Sequence, residues 1–304
     1  MGREAGRFFT RVLIIVLTFA AAICNAEKAG DEPALTFFGW SDQHVQTNGE
    51  GSHLVPAIEA MNALAGTPYP DKIGGKVGRP AFVFGCGDIT EWPTRAARDT
   101  YDSLITKRLK WPAYDIVGNH DEGGMVPSET IKNYLLSRHK SLCYTFDRRG
   151  VHFLALHSRY DESLNAPAQP VAKEALDFLR QDLARQPRDI PIVVAAHHCF
   201  DSMTNRVELI DAFAGANVIL VLGGHYHQAK VDSARGINFV QLPSPEPKGP
   251  REFMVVRITS DRLVAVPYNY QNRKWSDEGR KVLDAAIKGP SKDALSRTDS
   301  PKVK

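Results

Sequence analysis

Two histidines separated by one residue follow a short apolar run in the C-terminal third of the chain. Residues 218–221 are branched and apolar, which predicts a buried strand, and Gly223 and Gly224 then lead to His225 and His227. Glycine lets the backbone turn sharply and approach a ligand closely, and imidazole is the commonest side-chain ligand of transition metals at neutral pH. Because residues two apart on an extended chain point the same way, these histidines can bind one metal ion or each bind one of a close pair.

Polar side chains follow apolar runs in the same way earlier in the chain. Asp42 and His44 have the same one-residue spacing, and Asp88 directly follows Gly87. In chain order the full set is Asp42, His44, Asp88, Asn119, His120, His197, His225 and His227. Oxygen and imidazole donors without thiolates suit Mn, Fe, Zn or similar ions better than a structural zinc site. Since two aspartates cannot neutralise two divalent ions, we expect a net positive centre that favours hydroxide and phosphate oxygens.

Alternating strand and helix patterns must position these groups. Apolar, β-rich runs predict strands at 35–40, 81–84, 114–117, 191–196 and 218–221, a hairpin within 143–156, and closing strands at 237–242, 253–258 and 263–267. Helical spacing of apolar residues predicts helices at 52–64, 94–110, 170–185 and 204–213. This order indicates a largely parallel or mixed sheet, in which ligands bind beyond the C-terminal strand ends, where the candidate residues lie.

The five groups resemble the motif set of the calcineurin-like metallophosphoesterases. That family has Asp-x-His after a strand, then Gly-Asp, then Gly-Asn-His with an acidic residue, then a His after an apolar strand, then Gly-His-x-His. The matching blocks here are Asp42-Gln43-His44, Gly87-Asp88, Gly118-Asn119-His120-Asp121, His197 and Gly224-His225-Tyr226-His227. Each block is short, but five in this order form a specific signal. The resemblance implies an α/β fold: a four-layer αββα sandwich of two mixed β-sheets flanked by helices.

The resemblance also implies a dinuclear metal centre that hydrolyses phosphate esters. The first metal position would be held by Asp42, His44 and His227, the second by Asn119, His197 and His225, and Asp88 would bridge them. A hydroxide bridging the two ions would attack phosphorus, with the ions about 3.5–4 Å apart. His120 would bind a phosphate oxygen or protonate the leaving alkoxide, and Asn119 would also contact the substrate.

Residues beside the blocks have two interpretations each. His198 could contact the substrate or be a polar loop residue, and the second is the simpler interpretation. Asp121 could orient His120 or be an ordinary surface acid. Glu91 stands three residues after Asp88, where purple acid phosphatases place a tyrosine ligand. The spacing therefore looks closer to the cyclic-nucleotide phosphodiesterase-like branch, which does not fix the substrate.

The first 26 residues have the composition of a secretory signal peptide, with arginines before an apolar stretch and small residues up to Ala26. We predict cleavage after Ala26 and export, with a retained N-terminal membrane anchor as the alternative. This segment holds three arginines and one glutamate, so its removal lowers the net charge from +3 to +1. We expect the catalytic domain to span 27–288 and residues 289–304 to form a polar, disordered tail.

Three cysteines remain after that cleavage, Cys86, Cys143 and Cys199. One disulfide with a free thiol, or three thiols, are both allowed by their spacing.

The leading functional prediction is an exported metal-dependent phosphoesterase acting on small-molecule phosphomonoesters or phosphodiesters. A nuclease is less favoured because the mature charge is nearly neutral and no basic run is present. A metal- or phosphate-binding module without catalysis on the same fold is the alternative from another class. The loops that would select the substrate are 67–80, 123–128, 158–168, 199–205 and 243–250.

Overall fold

A computed structural model describes residues 33–123, 128–157 and 168–297. The elements below all belong to the unit Ala34–Lys304. The predicted signal peptide, 1–26, lies outside the described residues, as do most of loops 123–128 and 158–168. Within the described ranges, no helix combines the length and the hydropathy needed to cross a bilayer.

Thirteen strands in the described part of the chain form two sheets. They are β1 (Leu35–Trp40), β2 (Val83–Gly85), β3 (Ala113–Asp115), β4 (Tyr144–Arg148), β5 (Val151–Ala155), β6 (Pro191–His198), β7 (Asn217–Gly224), β8 (Lys230–Ala234), β9 (Ile237–Gln241), β10 (Glu252–Ile258), β11 (Arg262–Asn269), β12 (Lys274–Trp275) and β13 (Leu283–Ala286). One sheet has the order β12-β11-β10-β1-β2-β3, with β13 beside β11, and the other has the order β4-β5-β6-β7-β9-β8. Strands β1, β2 and β3 are parallel, as are β5, β6, β7 and β9, while the outer strands are antiparallel. Both sheets are therefore mixed, as predicted.

The described part of the chain has six α-helices, of which the first five cover the outer faces of the sheets. They are α1 (Val55–Ala63), α2 (Arg95–Lys107), α3 (Thr130–His139), α4 (Lys173–Leu183), α5 (Arg206–Ala212) and α6 (Lys292–Leu295). Helices α1 to α3 pack on the first sheet in one apolar cluster, and α4 and α5 pack on the second sheet in another. Thr94 caps α2 by accepting a hydrogen bond from the backbone N–H of Ala97 at 3.1 Å, as its sequence position predicts.

A third apolar cluster fills the space between the two sheets. Along β1, Phe37 points into this inner cluster while Phe38 points to the helices, because successive strand residues face opposite sides. Phe82 lies against Phe153 of the other sheet with ring centroids 5.1 Å apart. Strands buried on both faces explain the continuous apolar runs in the sequence. The predicted αββα sandwich is confirmed.

Two parts of the prediction were wrong. Helix α3 was not predicted, although Ile131, Tyr134 and Leu135 have helical spacing and are buried in it. The expectation of disorder from residue 289 also fails in part. Ser291 caps α6 by accepting from the N–H of Ala294, and Leu295 is buried in the inner cluster. A polar segment can therefore be ordered by one apolar anchor, while residues 298–304 lie outside the described part of the chain.

Candidate metal centre

The predicted ligands meet where parallel strands of both sheets end. Asp42 and His44 follow β1, Asp88 follows β2, and Asn119 follows β3. From the other sheet, His197 is the last residue but one of β6, and His225 and His227 follow β7. The backbone N–H of His225 donates to Oδ2 of Asp42 at 3.0 Å, which joins the two sheets at this edge. The C-terminal strand ends thus converge on one site, as expected for parallel strands.

Asp42, His44 and His227 form a first group whose donor atoms could hold one metal ion. Nε2 of His44 and Nε2 of His227 lie 3.3 Å apart, and Nε2 of His227 lies 3.4 Å from Oδ1 of Asp42. Donor atoms at these separations can share one cation, and this is the first metal position implied by the sequence.

A second group lies around His197. Nδ1 of His197 is 2.7 Å from the carbonyl oxygen of Cys86, so it carries the proton and donates. Its Nε2 is then turned to Oδ1 of Asn119 at 3.0 Å and Oδ2 of Asp88 at 3.2 Å. Nδ1 of His225 lies 3.1 Å from the same Asn119 oxygen. Asp42, Asp88 and His197 form a further group able to hold a cation, so Asp88 lies between both positions.

Backbone strain is concentrated at these residues. Ten non-glycine residues have positive φ in the described part of the chain, and five of them are predicted ligands. Those five are Asp42, His44, Asp88, His225 and His227. Non-glycine residues in this region cost energy and are found mostly where function requires the geometry. The strain therefore marks the site independently of the motif.

Comparisons with known proteins agree with this geometry. No family model matches the chain. The chain is 25% identical over 255 residues to serine/threonine-protein phosphatase CPPED1 of Rattus norvegicus, covering 75% of this chain and 77% of that protein. It is 26% identical over 212 residues to the protein of the same name from Pongo abelii, covering 61% and 67%.

Two solved structures have a similar fold. A dimetal phosphatase from Danio rerio superposes with a TM-score of 0.59 at 15% identity, covering 84% of this chain and 99% of that chain. GAP50, the anchor in the inner membrane complex of Plasmodium, gives 0.57 at 14% identity, covering 86% and 90%. The curated relatives, the shared fold and the ordered motif blocks point to one family.

In its fold and in the order of its motif blocks, the chain resembles the calcineurin-like metallophosphoesterases.

The metallophosphoesterase motifs did not predict two carboxylates that lie next to the histidines of the first metal position. Oε1 of Glu246 lies 2.7 Å from Nδ1 of His227, and Oε2 of Glu91 lies 3.1 Å from Nδ1 of His44. A hydrogen bond from one imidazole nitrogen to a carboxylate fixes the ring and makes the other nitrogen a better metal ligand. This applies to His227, whereas Glu91 lies near Nδ1 of His44 without a hydrogen bond. Glu91 occupies the position noted for the purple acid phosphatase tyrosine, and Glu246 lies in the nominated loop 243–250.

These glutamates also change the charge of the centre. The expectation of a net positive centre counted only Asp42 and Asp88. With Glu91 and Glu246 included, four carboxylates would balance two divalent ions. Phosphate binding therefore depends on local positive charge at the ions and on hydrogen-bond donors, rather than on an excess of charge over the whole site.

The buried carboxylates of Asp42 and Asp88 need a positively charged partner. In the described ranges, the ion pairs of Asp42 and Asp88 are formed with histidines. Burial raises the pKa of Asp42 to about 6. Burial opposes the charged form of His197, but the negative charge of Asp88 raises its pKa to about 9. Burial also opposes the charged form of Asp88, yet His197 and nearby imidazoles hold its pKa well below the usual range. A divalent cation would supply this charge and displace the proton of His197, so the donor set fits a metal.

His120 lies beside the centre and is oriented from two sides. Its backbone N–H donates to Oδ1 of Asp88 at 2.8 Å, and its Nδ1 donates to the carbonyl oxygen of Glu91 at 2.8 Å. The indole of Trp92 lies over the ring with centroids 4.8 Å apart. These contacts leave Nε2 as the nitrogen available to a substrate.

Asp121 has neither of the roles considered from the sequence. It is completely buried and accepts hydrogen bonds from the N–H groups of Ile89, Thr90 and Gly118 at 2.9–3.1 Å. The carboxylate therefore ties the loop that carries Asp88 to the loop after β3. The three cysteines are free thiols, with Cys86 and Cys199 buried.

Proposed function

We propose that this protein is a metal-dependent phosphoesterase that hydrolyses phosphomonoesters or phosphodiesters of small molecules at a dinuclear centre. The observation that carries the proposal is the convergence of the predicted ligands, from the ends of five strands in two sheets, on one edge, where Asp88 is grouped with Asp42 of the first position and His197 of the second. Mn, Fe and Zn are the ions that this mixture of carboxylate, amide and imidazole donors favours.

The bound ions would stabilise charge on phosphate oxygens and acidify a water molecule. The protein's own groups would do the rest. Asn119 and His120 face the reacting phosphate from the loop after β3, and Nε2 of His120 is placed to bind a phosphate oxygen or to donate a proton to the leaving group.

The substrate is proposed from the relatives and from the rim of the site. The CPPED1 relatives are named serine/threonine-protein phosphatases, which favours phosphomonoesters. Trp92 and Tyr226, exposed by 41% and 39%, lie beside His120 and His225 and offer apolar surface to the organic part of an ester. The diesterase alternative stays open because the motif spacing resembles the cyclic-nucleotide phosphodiesterase-like branch.

Export and a small-molecule substrate are part of the same proposal. The signal-like segment 1–26 supports export, and the near-neutral charge of the remaining chain supports a substrate other than nucleic acid. N-terminal sequencing of the protein from its native host would test the first point, because a mature chain beginning at Glu27 is expected.

A binding module without catalysis is the competing proposal, since GAP50 shares the fold and is described as an anchor. The complete ligand set and the oriented His120 favour catalysis, because a module that only binds does not need an oriented acid.

Hydrolysis of p-nitrophenyl phosphate and bis-p-nitrophenyl phosphate would test the proposal. The metal-free protein would be assayed alone and with Mn²⁺, Fe²⁺ or Zn²⁺, beside Asp88→Asn and the distant surface variant Asp211→Asn. Metal-dependent turnover that is lost in Asp88→Asn and kept in Asp211→Asn is expected, and the preferred compound separates monoesterase from diesterase. Two bound ions without turnover of either compound would favour the binding module.

A further inference from the structure

His198 is a buried imidazole whose two nitrogens have no hydrogen-bond partner among the described residues. Its exposure is 1%. A buried polar group without a partner destabilises the folded protein, so its retention in a packed site indicates that it has a ligand. The interpretation of His198 as a polar loop residue does not fit this environment.

A bulge turns His198 toward the site. In the β6–β7 ladder, Ala195 pairs with Leu222 and His198 pairs with Gly224, so β6 has one more residue than β7 between these pairs. Consecutive side chains of a regular strand face opposite sides, and a bulge changes the direction of the residues that follow it. His197 and His198 can therefore both approach the metal centre.

The ring of His198 lies among the imidazoles of the second metal position. Its centroid is 4.5 Å from that of His225 and 5.1 Å from that of His197. One nitrogen of each of the three rings lies within 4.8 Å of the others. This is a separate group of donors from the one formed by Asp42, His44 and His227.

We propose that His198 is an additional ligand of the second metal position, an inference that rests on the proposed dinuclear centre. The second position would then have three imidazoles, whereas the first has Asp42 and two imidazoles backed by Glu91 and Glu246. Imidazole donors suit Zn²⁺, whereas carboxylate donors suit Mn²⁺. The two positions would therefore differ in metal preference.

Calorimetric titration with Zn²⁺ and with Mn²⁺ would test whether His198 is a ligand. Metal-free full-length wild type would be compared with His198→Leu and His198→Asn. We expect two Zn²⁺ equivalents in wild type and at least about a tenfold weaker affinity for one of them in both variants, with the other equivalent unchanged. Mn²⁺ affinity at the first position should be unaffected. The thermal midpoint of metal-free His198→Leu should equal or exceed that of wild type, because an unpaired buried polar group has been removed.

Zn²⁺ binding at wild-type affinity for both equivalents in the two variants would overturn the proposal. If those variants instead showed weaker inhibition by inorganic phosphate, His198 would be a substrate contact. A wild-type protein that binds fewer than two ions would contradict the proposed dinuclear centre itself, so the two failures are distinguishable.

Discussion

Each imidazole of the first metal position has a carboxylate near Nδ1, but only His227 is hydrogen-bonded to its carboxylate. Glu91 lies at Nδ1 of His44 and Glu246 at Nδ1 of His227, so both Nε2 atoms face the same point. The hydrogen bond between Nδ1 of His227 and Glu246 restricts the rotation of that ring.

Replacement of Glu246 by Gln tests the importance of the charge behind a ligand. Glu246→Gln keeps an oxygen that can accept from Nδ1 of His227 but removes the negative charge that makes this imidazole more basic. We expect metal affinity at the first position to fall roughly tenfold or more, measured by calorimetric titration. Glu208→Gln removes an equally charged but exposed glutamate that pairs with Arg180, and it should bind metal like wild type. Equal affinity in both variants would contradict the role given to Glu246.

The role of His120 can be resolved by varying the leaving group. If Nε2 protonates the leaving alkoxide, His120→Asn should reduce kcat about 10²–10⁴-fold for an alkyl phosphate and much less for p-nitrophenyl phosphate, whose leaving group needs little protonation. Steady-state kinetics on both substrates measure the ratio. An equal loss for the two substrates would show that His120 binds a phosphate oxygen instead.

The ligands were predictable from the sequence because their spacing is local, but their supporting residues were not. Asp42 and His44 form a recognisable pair, whereas Glu246 reaches His227 across 19 positions from a proline-rich loop. His198 could be seen but not interpreted, because the bulge that turns it is a property of strand pairing rather than of composition.

At the scale of elements, the site depends on strand ends that come unusually close to one another. A Cβ added to Gly118 would lie 2.2 Å from Oδ1 and 2.3 Å from the backbone N of Asp88. A side chain at Gly224 would lie 1.8 Å from Oγ of Ser41. The Gly-Asn and Gly-His motifs are therefore steric requirements, since a Cβ at Gly118 would meet the backbone of Asp88 and one at Gly224 would meet the buried side chains of Ser41 and Asp42.

Gly118→Ala should destabilise both the fold and the site. Overpacking against a backbone atom costs about 1–3 kcal/mol in the free energy of unfolding, and displacement of Asp88 should also weaken metal binding. Gly78→Ala is the control for metal binding, because its Cβ would also meet a buried group, the side chain of Thr36 in β1 at 2.9 Å, but not a ligand. Urea denaturation and metal titration measure the two effects. Loss of stability with unchanged metal affinity would show that Asp88 does not depend on this contact.

The order of strands and helices was predictable, whereas their pairing was not. Alternation of apolar runs and helical spacing gave β1, β2, β3, β6 and β7 to within a few residues. The placement of β10 beside β1 is a long-range pairing of residues more than 200 positions apart, which no local pattern encodes. Short, half-exposed β8 also escaped prediction because its residues have no strong alternation.

At the scale of the whole molecule, a second charged cluster lies away from the metal centre. His152 of β5 is buried, with Nδ1 2.6 Å from Oδ1 of Asp147 and Nε2 2.7 Å from Oδ2 of Asp182 on α4. Burial opposes the charged imidazole, but the bonds to the two carboxylates raise its pKa. Burial likewise opposes the charged form of Asp182, and its bond to His152 lowers its pKa. The cluster joins β4, β5 and α4 on one side of the second sheet.

This cluster predicts a pH-dependent stability. A raised histidine pKa contributes stability that is complete below the unfolded value of 6.5 and is lost as pH rises through the folded pKa. A lowered aspartate pKa contributes stability that is present above 3.8 and is lost as pH falls through the folded pKa. The difference in free energy of unfolding between wild type and His152→Gln should therefore be largest between these values and shrink at alkaline pH. Urea denaturation of the metal-free proteins measures it, and a difference independent of pH would contradict the account.

The two-sheet arrangement brings donors from distant parts of the chain to one edge, and the central claim is that they hold two metal ions. Anomalous diffraction from crystals of the full chain grown with Mn²⁺ or Zn²⁺ tests this most directly. The account predicts two peaks about 3.5–4 Å apart, one bound by His44 and His227, the other by His197 and His225, with Asp88 between them. A single peak, no peak, or ions bound elsewhere would contradict it.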